Sequence, residues 1–183
     1  MNLRKIEAAS DPAVLTRVRR LYRAAFPKDE RLPWFVLRLN SLRRGIDLHA
    51  FLDGDTFCGF TSSVTAFGLH FLLFFAVEES LRSQGYGSAI LAMLRREHET
   101  VVLNIEPLDP EAPDLALRQS RYRFYRRNGF FDTGCHVLEA DGIFRVLATC
   151  QDPDLPAYRR LLRYLTLGLW KEKLLEPDGP LYE

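Results

Sequence analysis

The sequence predicts an α+β protein with a central mixed sheet of about seven strands, mostly antiparallel, and one parallel pair. Two predicted turns support the antiparallel part of this prediction. Asp53-Gly54-Asp55 and Asp141-Gly142 each separate two apolar runs in the manner of a β-hairpin. The parallel pair follows from a strand at 69–77, a helix and a strand at 101–105, because these elements in that order form a βαβ unit.

The first half of the chain alternates helix signals with apolar strand runs. We expect a strand at 3–8, a helix from Ser10 or Asp11 to Phe26, a second helix from Pro33 to the residue before Gly45, and strands at 48–52, 57–64 and 69–77. The first helix should end at Phe26 because the next residue is proline, which disfavours helix in the residue before it. The run at 69–77 is almost continuously apolar, so this strand should be buried on both faces.

The second half of the chain is punctuated by glycine and proline. We expect a helix that opens after the segment 78–88, a strand at 101–105, a helix at 115–127, strands at 130–139 and 143–149, and a helix at 155–175. Asn128-Gly129 is a typical helix stop, and Gly168 interrupts the pattern of the last helix. Residues 176–183 should form a loose tail. With no boundary in the middle, we expect residues 1–175 to fold as one domain.

The composition excludes several classes of protein. The 183 residues are 47% hydrophobic and 27% charged, which is typical of a folded globular chain. The net charge of +1 argues against chain-wide electrostatic binding to nucleic acid. The longest apolar run, Phe71 to Val77, is too short to span a bilayer, and residues 1–10 lack the apolar core of a secretory signal. The widely spaced Cys58, Cys135 and Cys150 favour reduced thiols, so we expect a cytoplasmic protein.

The segment Arg82-Ser83-Gln84-Gly85-Tyr86-Gly87-Ser88 carries the clearest functional signal. Two glycines around one residue let the backbone turn tightly and approach a ligand without obstruction by a Cβ atom. The loop leads into a helix, whose N-terminus offers unpaired N–H groups and the positive end of its dipole to an anion. It is neither a Gly-x-Gly-x-x-Gly fingerprint, because position 90 is isoleucine, nor a Walker A loop. The alternative is a tight turn that only joins strand to helix.

Two motifs resemble those of the GNAT superfamily of N-acetyltransferases. Val77-x-x-x-x-Arg82-x-x-Gly85-x-Gly87 is similar to the acyl-CoA-binding motif of that family, and Phe124-Tyr125-Arg126-Arg127-Asn128-Gly129-Phe130 is similar to its Phe-Tyr-x-x-x-Gly-Phe segment. The two motifs have the order and separation that the family shows. The chain departs from the family at Glu79, where proline is common, and at Arg118 and Arg121, where asparagine and alanine are common. The resemblance implies a GNAT-like three-layer fold with helices on both faces of the sheet.

The resemblance also implies acetyl-CoA as the co-substrate and assigns roles to residues of this chain. The backbone at Ala76 and Val77 would bind the pantetheine and the thioester, and an N–H there would polarise the thioester carbonyl as an oxyanion hole. The diphosphate would bind to the glycine loop, whose members are Arg82, Ser83, Gln84, Gly85, Tyr86, Gly87 and Ser88. No metal is expected.

Four side chains are candidates for catalysis or for binding the acceptor. Tyr125 would donate a hydrogen bond to the leaving thiolate; its alternative role is aromatic packing. Glu106 is the leading candidate for a general base, because it ends a strand of the βαβ unit and such ends face the ligand crevice; the alternative is a solvated rim carboxylate. Glu30 and His70 are weaker candidates for the acceptor site, with a surface ion pair and a buried structural histidine as their alternatives.

The helix at 115–127 is rich in arginine. Its positive side chains are Arg118, Arg121, Arg123, Arg126 and Arg127. We expect a solvated face paired with acids such as Glu111 and Asp114, with contact to the 3′-phosphate of coenzyme A and nucleic-acid binding as alternatives.

The motifs together predict an N-acyltransferase that moves an acetyl group from acetyl-CoA to a primary amine of a small molecule or peptide by direct attack on the thioester. The main alternative is a catalytically silent acyl-CoA-binding sensor or partner-binding module on the same fold. A nucleotide-binding protein of another type is the third hypothesis. The expected partners are acetyl-CoA and the amine, with no nucleic acid and no membrane, in a monomer or a homodimer.

Overall fold

The computed structural model describes residues 1–28, 31–139, 142–168 and 173–175. In these ranges the strands are β1 (Leu3–Glu7), β2 (Ile46–Asp53), β3 (Thr56–Ala66), β4 (Leu69–Val77), β5 (Val101–Ile105), β6 (Phe131–Glu139), β7 (Gly142–Ala148) and β8 (Lys173–Leu175). The α-helices are α1 (Pro12–Ala25), α2 (Trp34–Asn40), α3 (Tyr86–Glu97), α4 (Leu115–Arg127) and α5 (Leu155–Leu165). Strands β4 and β5 and helix α4 have the predicted limits.

Hydrogen bonds at the helix ends explain where α1 begins and where α2 ends. The Asp11 carboxylate accepts hydrogen bonds from the N–H groups of Ala13 (2.8 Å) and Val14 (3.2 Å), so Asp11, one of the two predicted candidates, caps α1. Helix α2 ends at Asn40 and not just before Gly45. The residue after it, Ser41, donates its N–H back to Leu37, and the chain then turns until β2 begins.

Helix α5 is ten residues shorter than predicted, because it ends at Leu165 and not at Leu175. Leu167 and Gly168 adopt left-handed backbone angles (φ 56° and 70°), and the Gly168 N–H donates to the Arg163 carbonyl at 2.8 Å. This left-handed ending closes the helix. Of the rest of the predicted helix, 166–168 form this turn and 173–175 form the unpredicted strand β8, antiparallel to β6; the residues between them lie outside the described ranges.

The described residues divide into two compact units, of which the first contains residues 1–65 and 72–97. Its strand order is β1-β2-β3-β4. Helices α1 and α2 pack on one face of these strands, and the shared core includes Leu21, Tyr22, Leu37, Leu48, Phe60 and Phe74. Ile6 packs against this core, so the flanking Lys5 and Glu7 point to the opposite face. There Lys5 pairs with Glu97 at the end of α3, which places α3 on that face.

The second unit contains residues 66–71 and the described residues from His98 onward. The strand order of this unit is β4-β5-β7-β6-β8, and only the first three residues of β4 belong to it. The His70 N–H in this part of β4 donates to the Thr100 carbonyl at 2.9 Å. Helix α5 contributes the buried Leu161 and Leu162 to this unit. Its buried Tyr158 donates a hydrogen bond to Asn104 of β5 at 2.7 Å, which ties the helix to the strand.

The predicted fold class is confirmed, since the sheet is mixed, mostly antiparallel and contains one parallel pair. None of the three cysteines, all of which lie in the described ranges, forms a disulfide. Among the described helices, none combines the length and the apolar character that crossing a bilayer requires. The expectation of one domain over 1–175 stays a prediction, and the predicted tail at 176–183 lies outside the described residues.

Candidate functional site

The glycine loop in the first unit presents a row of unused backbone donors. Ser83 and Gly85 both have left-handed backbone angles (φ 62° and 88°) on either side of Gln84. Alternation of this kind turns successive N–H groups toward one concave surface, which is an anion-binding arrangement. Within the described part of the chain, the N–H groups of residues 83–88 make no hydrogen bond of normal geometry, and the first helical bond of α3 runs from Ala89 to Gly85 (3.0 Å).

Two side chains of the loop hold its conformation. The Tyr86 hydroxyl donates a hydrogen bond to Asp53 at the end of β2 (2.9 Å), and the Asp53 carboxylate also accepts the Asn2 N–H at 2.8 Å. Two hydrogen bonds lower the pKa of Asp53: the larger effect comes from the Asn2 N–H and the smaller from the Tyr86 hydroxyl. The hydrogen bond between Tyr86 and Asp53 also raises the pKa of Tyr86. The Gln84 side chain donates to the Ser80 carbonyl at 2.7 Å. The loop is therefore fixed from both sides while its N–H groups stay available.

The remaining predicted members of the loop are open to solvent. Arg82, Ser83 and Ser88 are exposed, and Gly87 and Tyr86 are partly exposed. Arg82 forms no ion pair with any described residue. Its charge is thus available to an anion, and the loop as a whole combines a positive side chain with free amide donors.

Strand β3 determines which backbone groups at the end of β4 are accessible. A methyl group built on Gly59 would overlap the Ala76 carbonyl, so β3 approaches this point more closely than a residue with a side chain would permit. The Glu78 N–H donates to the Cys58 carbonyl at 2.9 Å. Alternate residues of an antiparallel strand direct their backbone groups to the same side. The Glu78 backbone therefore faces β3, and by the same alternation we expect Val77, the residue before it, to direct its N–H and carbonyl away from β3.

Tyr125 lies in the second unit, in the last turn of α4. Its ring packs edge-on against Phe124 and Phe130, with ring centroids 5.3 and 5.6 Å away. The side chain is partly exposed, yet burial raises the pKa of Tyr125 to about 12; Arg121 acts against this shift and Glu106 adds to it. The hydroxyl makes no hydrogen bond within the described residues. The ring therefore packs against its aromatic neighbours, which is the alternative role given to Tyr125 above, and the hydroxyl is left available to a ligand.

Glu106 and Arg121 form an ion pair in the second unit. Their side chains are 20% and 39% exposed, so the pair lies at the surface and not in the core. A carboxylate bound by a guanidinium in a charge-assisted hydrogen bond is held in a fixed orientation. This contact favours an orienting role for Glu106 over the role of general base, which stays a prediction.

Three of the five arginines of α4 have an ion-pair or hydrogen-bond partner among the described residues, and two of these partners are carboxylates. Arg118 binds Asp114 one turn earlier (2.7 Å) and the Pro107 carbonyl (3.2 Å). Arg126 donates to the Phe130 carbonyl at 3.2 Å. These contacts use the guanidinium groups within the second unit.

The two weaker candidates have different outcomes. His70 is only 2% exposed, and its ring stacks on His98 with centroids 3.8 Å apart. This environment favours the structural role, which is the alternative that the sequence offers. Glu30 lies outside the described residues.

Sequence reasoning misses three residues that shape these sites. Asp53 has the pattern of a turn residue, although it anchors Tyr86 from 33 positions away. Gly59 gives no signal beyond that of an isolated glycine in a strand, although such glycines mark close backbone approach. Arg121 is visible in the sequence as a departure from the family motif, but its pairing with Glu106 is not.

No protein-family profile matches the sequence, and a search of curated proteins finds no match. Solved structures do match. A Bacteroides thetaiotaomicron protein assigned to the GNAT family of acetyltransferases has a TM-score of 0.74 at 21% identity, over 92% of this chain and 99% of its own. An aminoglycoside 6′-N-acetyltransferase complexed with coenzyme A has a TM-score of 0.65 at 20% identity, over 84% and 100%.

A third match has a different acceptor. The ribosomal-protein-S18-alanine N-acetyltransferase of Escherichia coli has a TM-score of 0.59 at 16% identity, over 80% of this chain and 92% of its own. These identities are too low to transfer an activity, but the agreement covers most of each chain. Together with the two sequence motifs, it establishes that this chain has the fold of the GNAT superfamily of acetyltransferases.

Proposed function

We propose that this protein is an N-acyltransferase that moves an acetyl group from acetyl-CoA to a primary amine of a small molecule or peptide. The observation that carries the proposal is the row of unused N–H groups at residues 83–88, next to the exposed Arg82. A charge-assisted hydrogen bond contributes about 1.5–3 kcal/mol. Three or four such bonds hold the diphosphate of coenzyme A firmly.

The end of β4 supplies the second contact with the cofactor. Val77 directs its backbone away from β3, so its N–H is the donor that we assign to the pantetheine or to the thioester carbonyl. A single N–H aimed at the developing oxyanion acts as a one-donor oxyanion hole. Ala76, whose carbonyl lies against Gly59, contributes through the shape of the strand.

Tyr125 is assigned to the leaving group. A thiol has a reference pKa of about 8.5, and the pKa of Tyr125 is raised to about 12. Full transfer of the tyrosine proton to the thiolate is therefore uphill by about 3.5 pKa units, or about 5 kcal/mol. We assign to the hydroxyl a hydrogen bond that stabilises the charge on sulfur as the C–S bond breaks, without transfer of the proton.

The acceptor amine loses its proton without a strong protein base. The amine nitrogen forms the new bond to the acetyl carbon, the C–S electron pair moves to sulfur, and the ammonium proton passes to water. A lysine-like amine has a pKa of about 10.4 and a free carboxylate about 4.3, so a carboxylate base is mismatched by about six units. Arg121 already binds the Glu106 carboxylate, and we assign the pair to orientation beside Tyr125.

The fold neighbours support only a broad class of acceptor. One acts on an aminoglycoside and another on the alanine of a ribosomal protein, so the fold serves both small molecules and peptides. The catalytically silent acyl-CoA-binding module is the second candidate, because Arg118 and Arg121 replace residues that are common in the family and both are engaged in ion pairs.

The test is an amine panel with acetyl-CoA, in which release of the coenzyme A thiol is measured for the wild type, Tyr125→Phe and Tyr122→Phe. We expect Tyr125→Phe to lower kcat by about 10- to 150-fold, the value of one hydrogen bond to a charged group, with little change in coenzyme A affinity. Tyr122 lies one turn earlier on α4 and bonds Asp132 (3.3 Å), so Tyr122→Phe is the matched control with nearly unchanged kcat. An unchanged rate in Tyr125→Phe would assign its hydroxyl no role in catalysis. Tight coenzyme A binding without transfer to any amine would favour the silent module.

A further inference from the structure

Three metal-ligating side chains meet on one face of the first unit, among residues that the proposed acyl transfer does not use. Glu7 of β1 is the direct cross-strand neighbour of His49 of β2, and Asp47 lies two residues before His49 on the same face. One ligand atom from each residue lies within 4.8 Å of the other two. The His49 Nε2 and Glu7 Oε1 atoms are 3.1 Å apart.

These distances suit a small divalent cation. Two ligands bound at about 2.1 Å to one tetrahedral ion are about 3.4 Å apart, so the His49 and Glu7 atoms already have a suitable spacing. A carboxylate oxygen of Asp47 lies within 4.8 Å of both of these atoms. The set of one imidazole and two carboxylates is typical of Zn²⁺ and neighbouring first-row cations, whereas Ca²⁺ and Mg²⁺ prefer oxygen ligands alone.

Two buried hydroxyls on the neighbouring strand support a ligand site at this place. Thr61 and Ser63 of β3 are the cross-strand neighbours of His49 and Asp47, so they lie on the same face. Both are fully buried, and neither hydroxyl has a hydrogen-bond partner in the described residues. Ligating histidines and carboxylates are usually oriented by such groups behind them, through hydrogen bonds that fix the ligand in place. A bound ion that draws His49 and Asp47 into position would give these hydroxyls that role.

The charges around the site also favour a cation. Glu7 and Asp47 bring two carboxylates together on this face, and like charges at this spacing repel each other unless a cation lies between them. The nearby Lys5 of the same face is already paired with Glu97. The His49 side chain is 14% exposed and that of Glu7 is 58% exposed, so an ion has access from solvent.

We propose that Glu7, Asp47 and His49 form a zinc-type site, with water in the remaining coordination position. The ion would link the edge strand β1 to β2 and so stabilise the first unit. The site is independent of the proposed acyl transfer, because none of its ligands belongs to the glycine loop, the end of β4 or α4.

The test measures thermal unfolding and calorimetric binding of the untagged full chain with ZnCl₂, and with MgCl₂ and CaCl₂ as comparisons. With free zinc about 100-fold above its Kd, we expect the melting temperature to rise by about 5–10 °C and one ion to bind per chain. Glu7→Gln and His49→Gln should lose most of this rise. Glu7 is exposed, so its variant should fold even if His49→Gln does not, and it should bind coenzyme A like the wild type.

His98→Gln is the matched control, because it removes a histidine from the second unit, where His98 stacks on His70. It should keep the full response to zinc. The proposal fails if the wild type shows no response, if the response survives in both Glu7→Gln and His49→Gln, or if His98→Gln abolishes it. A larger response to magnesium or calcium than to zinc would overturn the assignment to a zinc-type cation.

Discussion

Gly85 offers the sharpest test of the proposed anion binding by the glycine loop. Its backbone angle is left-handed (φ 88°), which residues with a side chain rarely adopt, and valine is especially disfavoured there. The space around it is otherwise open, since the nearest atom to a Cβ added at this position would be the Met1 Cε at 4.0 Å. Gly85→Val should therefore act through backbone conformation and not through a steric clash.

The expected effect on binding follows from the donors that the loop loses. Moving Gly85 out of the left-handed region turns its own N–H and that of Tyr86 away from the concave surface. Loss of two charge-assisted hydrogen bonds at about 1.5–3 kcal/mol each weakens coenzyme A binding by about 10²- to 10⁴-fold. The strain itself should destabilise the fold by about 1–2 kcal/mol.

Gly68 provides a control with the same backbone cost. It has a similar left-handed angle (φ 82°), open space around it, and lies in the turn between β3 and β4. Calorimetric titration with coenzyme A and thermal unfolding should show similar destabilisation for Gly68→Val and Gly85→Val, but weakened binding only for Gly85→Val. Wild-type affinity in a folded Gly85→Val would mean that the loop only connects β4 to α3, and the cofactor assignment would be lost.

Two further substitutions test the residues around the sites. Asp53→Asn should weaken the anchor of Tyr86 and lower the melting temperature at neutral pH. Because the pKa of Asp53 is lowered in the folded state, its contribution is present above the unfolded pKa of about 4 and is lost as the pH falls through the folded value. The difference in melting temperature between wild type and Asp53→Asn should thus shrink below about pH 4; a constant difference would contradict the anchor. Glu106→Gln should lower kcat by less than about tenfold, because Arg121 already engages the carboxylate. A loss above about 100-fold, with a changed pH–rate profile, would restore Glu106 as the general base.

Most of the fold can be predicted because its signals are local. The apolar run of β4, the cap at Asp11 and the Asn128-Gly129 stop each act within a few residues. The prediction for the last helix is too long because its leucine pattern continues past Leu165, while the left-handed ending at Gly168 is a property of the backbone. The spacing of apolar residues cannot show where the backbone leaves the helical conformation.

The sites are predictable to a smaller extent, for the same reason. The glycine loop is contiguous and can be recognised, as can the Phe-Tyr motif around Tyr125. The contacts that decide what these residues can do join distant positions. Asp53 meets Tyr86 across 33 residues, and Glu7 meets His49 through the register of β1 and β2. Only the paired sheet brings such residues together.

One irregularity in that sheet lies next to both parts of the proposed cofactor site in the first unit. Between Phe51 and Leu52 of β2 the register with β3 shifts, and Cys58 is the extra residue on β3. A bulge of this kind bends its strand and redirects the groups beside it. On one side of the shift, Asp53 accepts the hydrogen bond from Tyr86 of the loop; on the other, Gly59 lets β3 lie close to Ala76. We therefore expect the anchor of the glycine loop and the end of β4, which lie far apart in the sequence, to respond together to a change at this bulge.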